Sequence, residues 1–200
     1  TEPTEDDLLT SLENLSGETW YVLKKSNHGT QGKNKYVADQ FQGNVSLVDS
    51  YTTLGNEFVR CLWKLVADGS TYKLQNAATG RYIPAFSSHS GEFKTVEVGS
   101  AGTFGVSAAE ATTEIPTVPA GIWRFNSGDF YIDNNGNNPV PWNSGGPNSW
   151  YHVYSTDLTD ADVLSSLKAV AEAYTTAGGK SDVPGYATET EIASLANAVT

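Results

Sequence analysis

Cysteine is nearly missing from this chain. Cys61 is the single one in 200 residues, which excludes an internal disulfide and any four-cysteine metal site. Beside Leu62 and Trp63 it reads as a small buried hydrophobe. Long apolar runs are missing too. None approaches the roughly 18 residues that would suggest a membrane span, and no signal-peptide pattern opens the chain. Basic charge is scarce, with 12 Lys and Arg against 23 Asp and Glu and a net charge of −11. So few scattered cations make nucleic acid and anionic membrane surfaces poor partners. Methionine is absent, so Thr1 is expected to be the end of a processed protein or of a piece cut from a longer one. The shortage of cysteine does not argue against secretion.

Catalytic signatures are also missing. His28, His89 and His152 lie in three separate segments near turns or strand ends, and none has the two-histidine spacing of a zinc helix. His152 alternates with Tyr151 and Val153 and is expected to point away from the core. There is no Gly-x-Ser-x-Gly elbow, phosphate-cradling loop or dinucleotide fingerprint. Ser144-Gly145-Gly146 is glycine-rich but leads into no helix that could bind an anion. Acidic residues are densest in the flanks, although 11 of the 23 fall within residues 17–156, and the separation of a glycosidase pair is not something a sequence displays. The expectation is a non-enzyme with no metal and no cofactor.

What is present is a core-forming content, 38% apolar and 11% aromatic, arranged in three zones. Residues 1–16 read as a helical lead-in, with Thr4 as cap, Glu5, Asp6 and Asp7 at the positive end of the dipole, and Leu8, Leu9, Leu12 and Leu15 as one stripe. Residues 17–156 hold short alternating segments ("TWYVLKK", "STYKLQN", "GRYIPAF", "KTVEVG", "IWRFNSG") broken by turn residues, the pattern of an all-β sandwich or barrel. Residues 157–200 turn helical. Thr159 or Asp157 can cap a helix whose face is Val163, Leu164, Leu167, Val170, Ala171 and Tyr174, with Gly178-Gly179 as its stop. Beyond Pro184-Gly185, Thr188 and Glu191 have capping-box spacing for a second helix. Two such helices cannot bury both stripes alone, so this zone is expected to be part of an α-helical module cut short at Thr200.

The β zone repeats itself. Tyr21-Val22-Leu23, Tyr72-Lys73-Leu74 and Trp123-Arg124-Phe125 start 51 residues apart. Each leads to a second aromatic-led strand, at Lys35-Tyr36-Val37, Arg81-Tyr82-Ile83 and Phe130-Tyr131-Ile132. Each unit closes on an apolar pair: Trp63 and Leu65, Phe104 and Val106, Tyr151 and Val153. A strand period of two puts the alternate residues on one face. A six-stranded barrel capped by three hairpins would gather them into one core and leave few edges. Over residues 17–156 the pattern resembles the β-trefoil.

The third repeat carries a more specific resemblance. Tyr131-Ile132-Asp133-Asn134-Asn135-Gly136-Asn137, Val140-Pro141-Trp142 and Pro147-Asn148-Ser149-Trp150 together resemble one repeat of a ricin-type β-trefoil lectin, with Ser149 where that family usually has glutamine. The resemblance implies a carbohydrate-binding site. Asp133 would accept sugar hydroxyls, Trp142 would lie under the pyranose, and Asn148 would add an amide, with Asn135 in the turn as a fourth contact. The chemistry suits the task. A pyranose offers a C–H patch to an indole, a carboxylate makes strong charge-assisted bonds to hydroxyls, and an amide both gives and accepts.

Plainer readings stay open. Trp142 could fold over the barrel mouth with Asp133 only shaping a turn. Asp133, Asn135 and Asn137 alternate like calcium ligands, although Gly136 comes too early for the helix-loop-helix calcium motif. The first repeat offers a weaker second site in Asp39, Tyr51 and Asn56. The second has Pro84 and Ala85 where the acid should be, and its Phe86, His89 and Phe93 are expected to pack the hairpin. Gly179-Lys180 and Pro184-Gly185-Tyr186, followed by a short capped helix, resemble small three-helix modules of multidomain surface glycosidases from gut-type bacteria, and Leu12-Glu13-Asn14-Leu15 with Trp20-Tyr21-Val22-Leu23 resembles the entry to trefoil-like domains in such proteins. That implies a non-catalytic accessory module of a larger secreted or cell-surface protein, with glycans and the parent chain's other domains as partners. The competing reading is a protein-interaction or spacer trefoil, for which Gly29-Thr30-Gln31-Gly32-Lys33 is the one inhibitor-like loop.

Overall fold

Six strands pair in a ring. In this computed structural model, which describes residues 1–40 and 43–176, the strands are β1 (Tyr21–Lys25), β2 (Tyr36–Ala38), β3 (Ser46–Val48), β4 (Leu62–Asp68), β5 (Thr71–Asn76), β6 (Gly105–Ala108), β7 (Trp123–Ser127), β8 (Phe130–Asn135), β9 (Asn138–Trp142) and β10 (Tyr151–Ser155), followed by helix α1 (Asp160–Thr176). β1 pairs with β4 through Tyr21↔Trp63, and β4 with β5 from Trp63↔Asn76 to Asp68↔Thr71. The Tyr72↔Phe104 bridge joins β5 to the run into β6, and β6 pairs with β7 from Gly105↔Asn126 to Ala108↔Trp123. β7 meets β10 at Trp123↔Tyr151, and β10 returns to β1 from Lys25↔Tyr151 to Tyr21↔Ser155. The result is a closed antiparallel barrel with no free edge.

The alternation seen in the sequence fills it. Tyr21, Leu23, Trp63, Leu65, Leu74, Phe104, Trp123, Phe125, Tyr151 and Val153 are all buried in one cluster, with Tyr72 and Val106 packed against it. Burying side chains of this size stabilises the fold by about 1.5–3 kcal/mol each before entropy is charged. Outside the ring, β2 pairs with β3, Tyr82 with Val96 as a single bridge, and β8 with β9. They meet through the Leu47 N–H on the Asn137 carbonyl and the Val45 N–H on the Phe93 carbonyl, both 2.8 Å. Proline beside the middle pairing, at Pro84, removes an N–H that a longer ladder would need.

The outward residues of three ring strands are not exposed. Val22, Leu62 and Tyr154 join Tyr36, Tyr51, Val59, Cys61, Ala77 and Ala78 in a second apolar cluster, and α1 completes it with Val163, Leu167, Val170 and Ala171. Thr159 caps α1. Its N–H and hydroxyl donate to the Asp162 carboxylate at 2.8 and 2.6 Å, and the Asp162 N–H returns a bond to its hydroxyl at 3.2 Å. Asp160 pins the first turn to the barrel, accepting from Trp20 Nε1 (2.9 Å) and Lys64 Nζ (2.8 Å).

Two sequence expectations change. The lead-in is two single 3-10 turns, Glu5–Asp7 and Leu12–Asn14, and not one helix with one leucine stripe. Between them the Leu9 N–H bonds the Val153 carbonyl at 2.8 Å and Leu8 bridges Tyr154, so the backbone finds its partners on β10. Leu8 packs on the outer cluster while Leu9, Leu12 and Leu15 join the inner one. Thr4 still makes its capping box with Asp7. In α1, Leu164 faces solvent at 44% exposure, outside the buried stripe. The Tyr174 side chain, the Gly178-Gly179 stop and the second helix at Thr188 and Glu191 lie outside the described residues.

Candidate functional site

The β8–β9 hairpin sets the geometry. Asn135 faces Asn138 across a two-residue turn whose first residue, Gly136, has φ +65°, the left-handed value such turns require. Register then places Asp133 opposite Val140 and Tyr131 opposite Trp142. Residues two apart share a face, so Tyr131, Asp133, Asn135 and Trp142 lie on one side of the hairpin, with the core residue Ile132 on the other. Asn135 is exposed beside the turn.

Asp133 and Trp142 meet opposite fates on that face. The Asp133 carboxylate is nearly enclosed, at 7% exposure. One oxygen accepts the Ser149 hydroxyl at 2.6 Å and the other the Asn134 N–H at 2.7 Å. Burial pushes its pKa up, against the Ser149 and Asn134 bonds and the nearby Lys25 charge. The Ser149 hydroxyl, standing where the lectin pattern has glutamine, also lies 2.7 Å from the Ser144 carbonyl, so its one proton is shared between the two oxygens. That ties the 143–149 loop over the hairpin, with Gly145 so close to the Tyr131 ring and Arg124 that a methyl group there would meet both at 2.9 Å.

Asn148 belongs to the same inner network. Its side-chain oxygen accepts the Thr30 and Gln31 N–H groups at 2.9 and 3.2 Å, and its carbonyl accepts from Asn134 Nδ2 at 2.8 Å. Asn134 Nδ2 also donates to Tyr151 Oη at 2.7 Å. The loop at 29–33 is thus clamped to the third hairpin, further held by the Gly136 N–H on Gln31 Oε1 at 2.8 Å. Gly29 allows this contact: at φ +76°, a Cβ there would sit 2.4 Å from the Asn148 side-chain oxygen.

Trp142 is open. It is 46% exposed, whereas Trp20, Trp63, Trp123 and Trp150 are all buried. One face of its indole is covered by His89, stacked at 4.1 Å between centroids and 10° between planes. Phe130 meets the imidazole edge-on at 5.5 Å, and His89 Nε2 accepts the Asn143 N–H at 3.3 Å. Phe86 and Phe93 pack the second hairpin as expected, 5.1 Å apart and buried. His89 does not join them: it reaches across to the third hairpin. Sequence reasoning missed this because nothing local in "SSHSGEF" marks a partner so distant in the chain.

The residues of the second expected site do not share one surface. Asp39 is fully buried, its Oδ2 accepting the Thr79 and Thr95 hydroxyls at 2.8 Å each, and burial raises its pKa. Tyr51 is buried between Tyr36 and Phe58, with its hydroxyl on the Thr1 carbonyl. Asn56 is exposed in the 3-10 segment Thr52–Cys61. An open site would need the carboxylate to face solvent, and two threonines hold it inward.

No family model and no curated protein matches the chain. Among solved structures, a ricin B-like lectin of Macrolepiota procera in complex with lactose matches at a TM-score of 0.50 and 11% identity, over 72% of this chain and 99% of its own. The Polyporus squamosus lectin bound to a human-type influenza-binding epitope matches at 0.49 and 16%, over 78% and 55%. SeviL bound to an asialo-GM1 saccharide matches at 0.46 and 9%, over 68% and 96%. At such identities the first likeness establishes the fold alone: the barrel has the fold of a ricin B-like lectin.

Proposed function

We propose that this chain is a β-trefoil of three pseudo-repeats that serves as a non-catalytic carbohydrate-binding accessory module of a larger secreted or cell-surface protein. A pyranose of a glycan lies on the open face of Trp142, and the polar edge of the third hairpin binds its hydroxyls. One observation carries the reading: a lone exposed indole, braced from behind and set on the lobe whose motifs resemble a lectin repeat. Repeat spacing and ring closure support the trefoil. Asp133 and Asn148 spend their acceptors on the protein, so in this reading they hold the hairpin and the loops beside Trp142 while exposed Asn135 and Asn143 face the ligand.

Those spent acceptors also favour a second reading, a protein-interaction or spacer trefoil without sugar affinity. Titration separates the two. Because four of the five tryptophans are buried, acrylamide quenching reports chiefly on Trp142. Lactose or another neutral oligosaccharide from a printed array should shield it from acrylamide, and Trp142→Ala should abolish array binding with the fold intact. An intact chain that binds no glycan on the array leaves the spacer reading.

A further inference from the structure

Asn135 and Gly136 form the single Asn-Gly step in the 200-residue sequence. We propose that Asn135 is a self-modifying site: the Gly136 backbone nitrogen closes on its carboxamide, and the hydrogen bond that Gly136 gives Gln31 is the brake on that reaction. Neither part depends on what the hairpin binds.

The chemistry needs only the chain and water. The Gly136 nitrogen bonds to the Asn135 Cγ, the Cγ–Nδ2 bond breaks, and ammonia leaves with the proton from the Gly136 N–H. Water then opens the resulting five-membered imide at either carbonyl, to give aspartate or isoaspartate. Glycine suits the step because no Cβ hinders the approach of its nitrogen. Neighbouring asparagines each lack one requirement. Asn138 precedes Pro139, which has no N–H to give up. Asn134 is buried, its Nδ2 held by the Asn148 carbonyl and Tyr151 Oη. Asn137 and Asn143 are exposed but precede Asn138 and Ser144, whose Cβ atoms crowd the attack.

The fold exposes the carboxamide and withholds the nucleophile. Asn135 is exposed at the end of β8, and Gly136 opens the turn at φ +65°. The Gly136 N–H, which the ring must consume, donates to Gln31 Oε1 at 2.8 Å. Gln31 is itself tied down, since its own N–H and that of Thr30 are held by the Asn148 side-chain oxygen. Gly32 sits against the turn: a Cβ there would lie 3.3 Å from the Gly136 carbonyl oxygen. The Leu47 N–H holds the Asn137 carbonyl at 2.8 Å. The ring cannot form while Asn135 keeps the extended backbone of its pair with Asn138, so this last ladder pair must open first. Each tether opposes that opening.

Peptide mapping by mass spectrometry, with enzymatic methyl labelling of isoaspartate, tests this on the intact chain held in warm, mildly alkaline buffer. Residue 135 should gain about one dalton and label as isoaspartate before any other asparagine. Gln31→Ala, shown to be folded by its retained urea transition, should speed that gain roughly fivefold, the rate equivalent of one net neutral hydrogen bond. Gly29→Ala, whose Cβ would press on the Asn148 side-chain oxygen that holds the loop, should speed it too. In strong urea the parent and Gln31→Ala should react at one shared, faster rate, because the brake exists only in the folded chain. A folded Gln31→Ala that reacts no faster than the folded parent overturns the brake. If both folded chains leave Asn135 intact while the urea-unfolded chain converts, the site itself is overturned.

Discussion

Lys25 is a cation buried in the protein. Its side chain is fully buried, and Nζ donates to the Ser26 carbonyl (3.1 Å) and the His28 carbonyl (2.8 Å). Burial pulls its pKa down to about 8, with Lys33 adding to the fall and Asp133 opposing it. The unfolded lysine titrates near 10.5, so between these values the unfolded state holds more protons, and this group makes stability rise with pH. Cys61 acts in the other direction. Its thiol is pushed up to about 12 from 9.0 by burial, so unfolding releases its proton more easily from about pH 9 upward. The lysine effect is therefore cleanest from about pH 8 to 9. Urea unfolding of the parent should show rising stability over that interval, and Lys25→Met should flatten the rise. An unchanged slope would mean that the carbonyls solvate the ammonium as well as water does.

The sequence was informative about side chains wherever a strand period of two decided their direction. Tyr21, Leu23, Trp63 and Tyr151 all fall in the core as their alternation implies. Asp133 shows where this stops. Motif resemblance put it on the correct hairpin, but whether its carboxylate meets solvent depends on Ser149 and the loop that Ser149 anchors. His89 was illegible for a related reason, since its partner is chosen by how two hairpins meet.

Among the elements, α1 forms where its pattern implies, with Leu164 turned to solvent, and the lead-in does not form one helix. A periodic stripe with a Thr-x-x-Asp start is a self-sufficient helix signal. Residues 1–16 have a cap and leucines, yet pairing with β10 satisfies Leu9 better than another helical turn would. The stripe of α1 also makes a quantitative claim. Leu167 lies in the cluster that contains Cys61, so Leu167→Ala should cost about 2–4 kcal/mol in urea unfolding. It should also speed reaction of the buried Cys61 with a thiol reagent. Leu164→Ala, one turn away but exposed, should stay within about 0.5 kcal/mol and leave the thiol protected. Equal costs at the two positions would mean that α1 docks by a different face.

For the whole molecule, composition divided the chain at residue 157, and the contacts cross that line. Trp20 and Lys64 hold Asp160, and Val22, Tyr36, Leu62 and Tyr154 share an apolar cluster with Val163, Leu167, Val170 and Ala171. Ring closure was legible because three similar units repeat. The docking of α1 was not, because Val22 and Leu62 look like outward strand residues until a helix covers them. A helix that completes a barrel's outer cluster cannot leave without exposing that cluster, so its loss should be coupled to global unfolding. Tryptophan fluorescence, Cys61 labelling and hydrogen exchange at α1 amides should therefore share one urea midpoint. An α1 transition at clearly lower urea, with fluorescence still native, would support the boundary at 157 and make the helix the start of a separate unit.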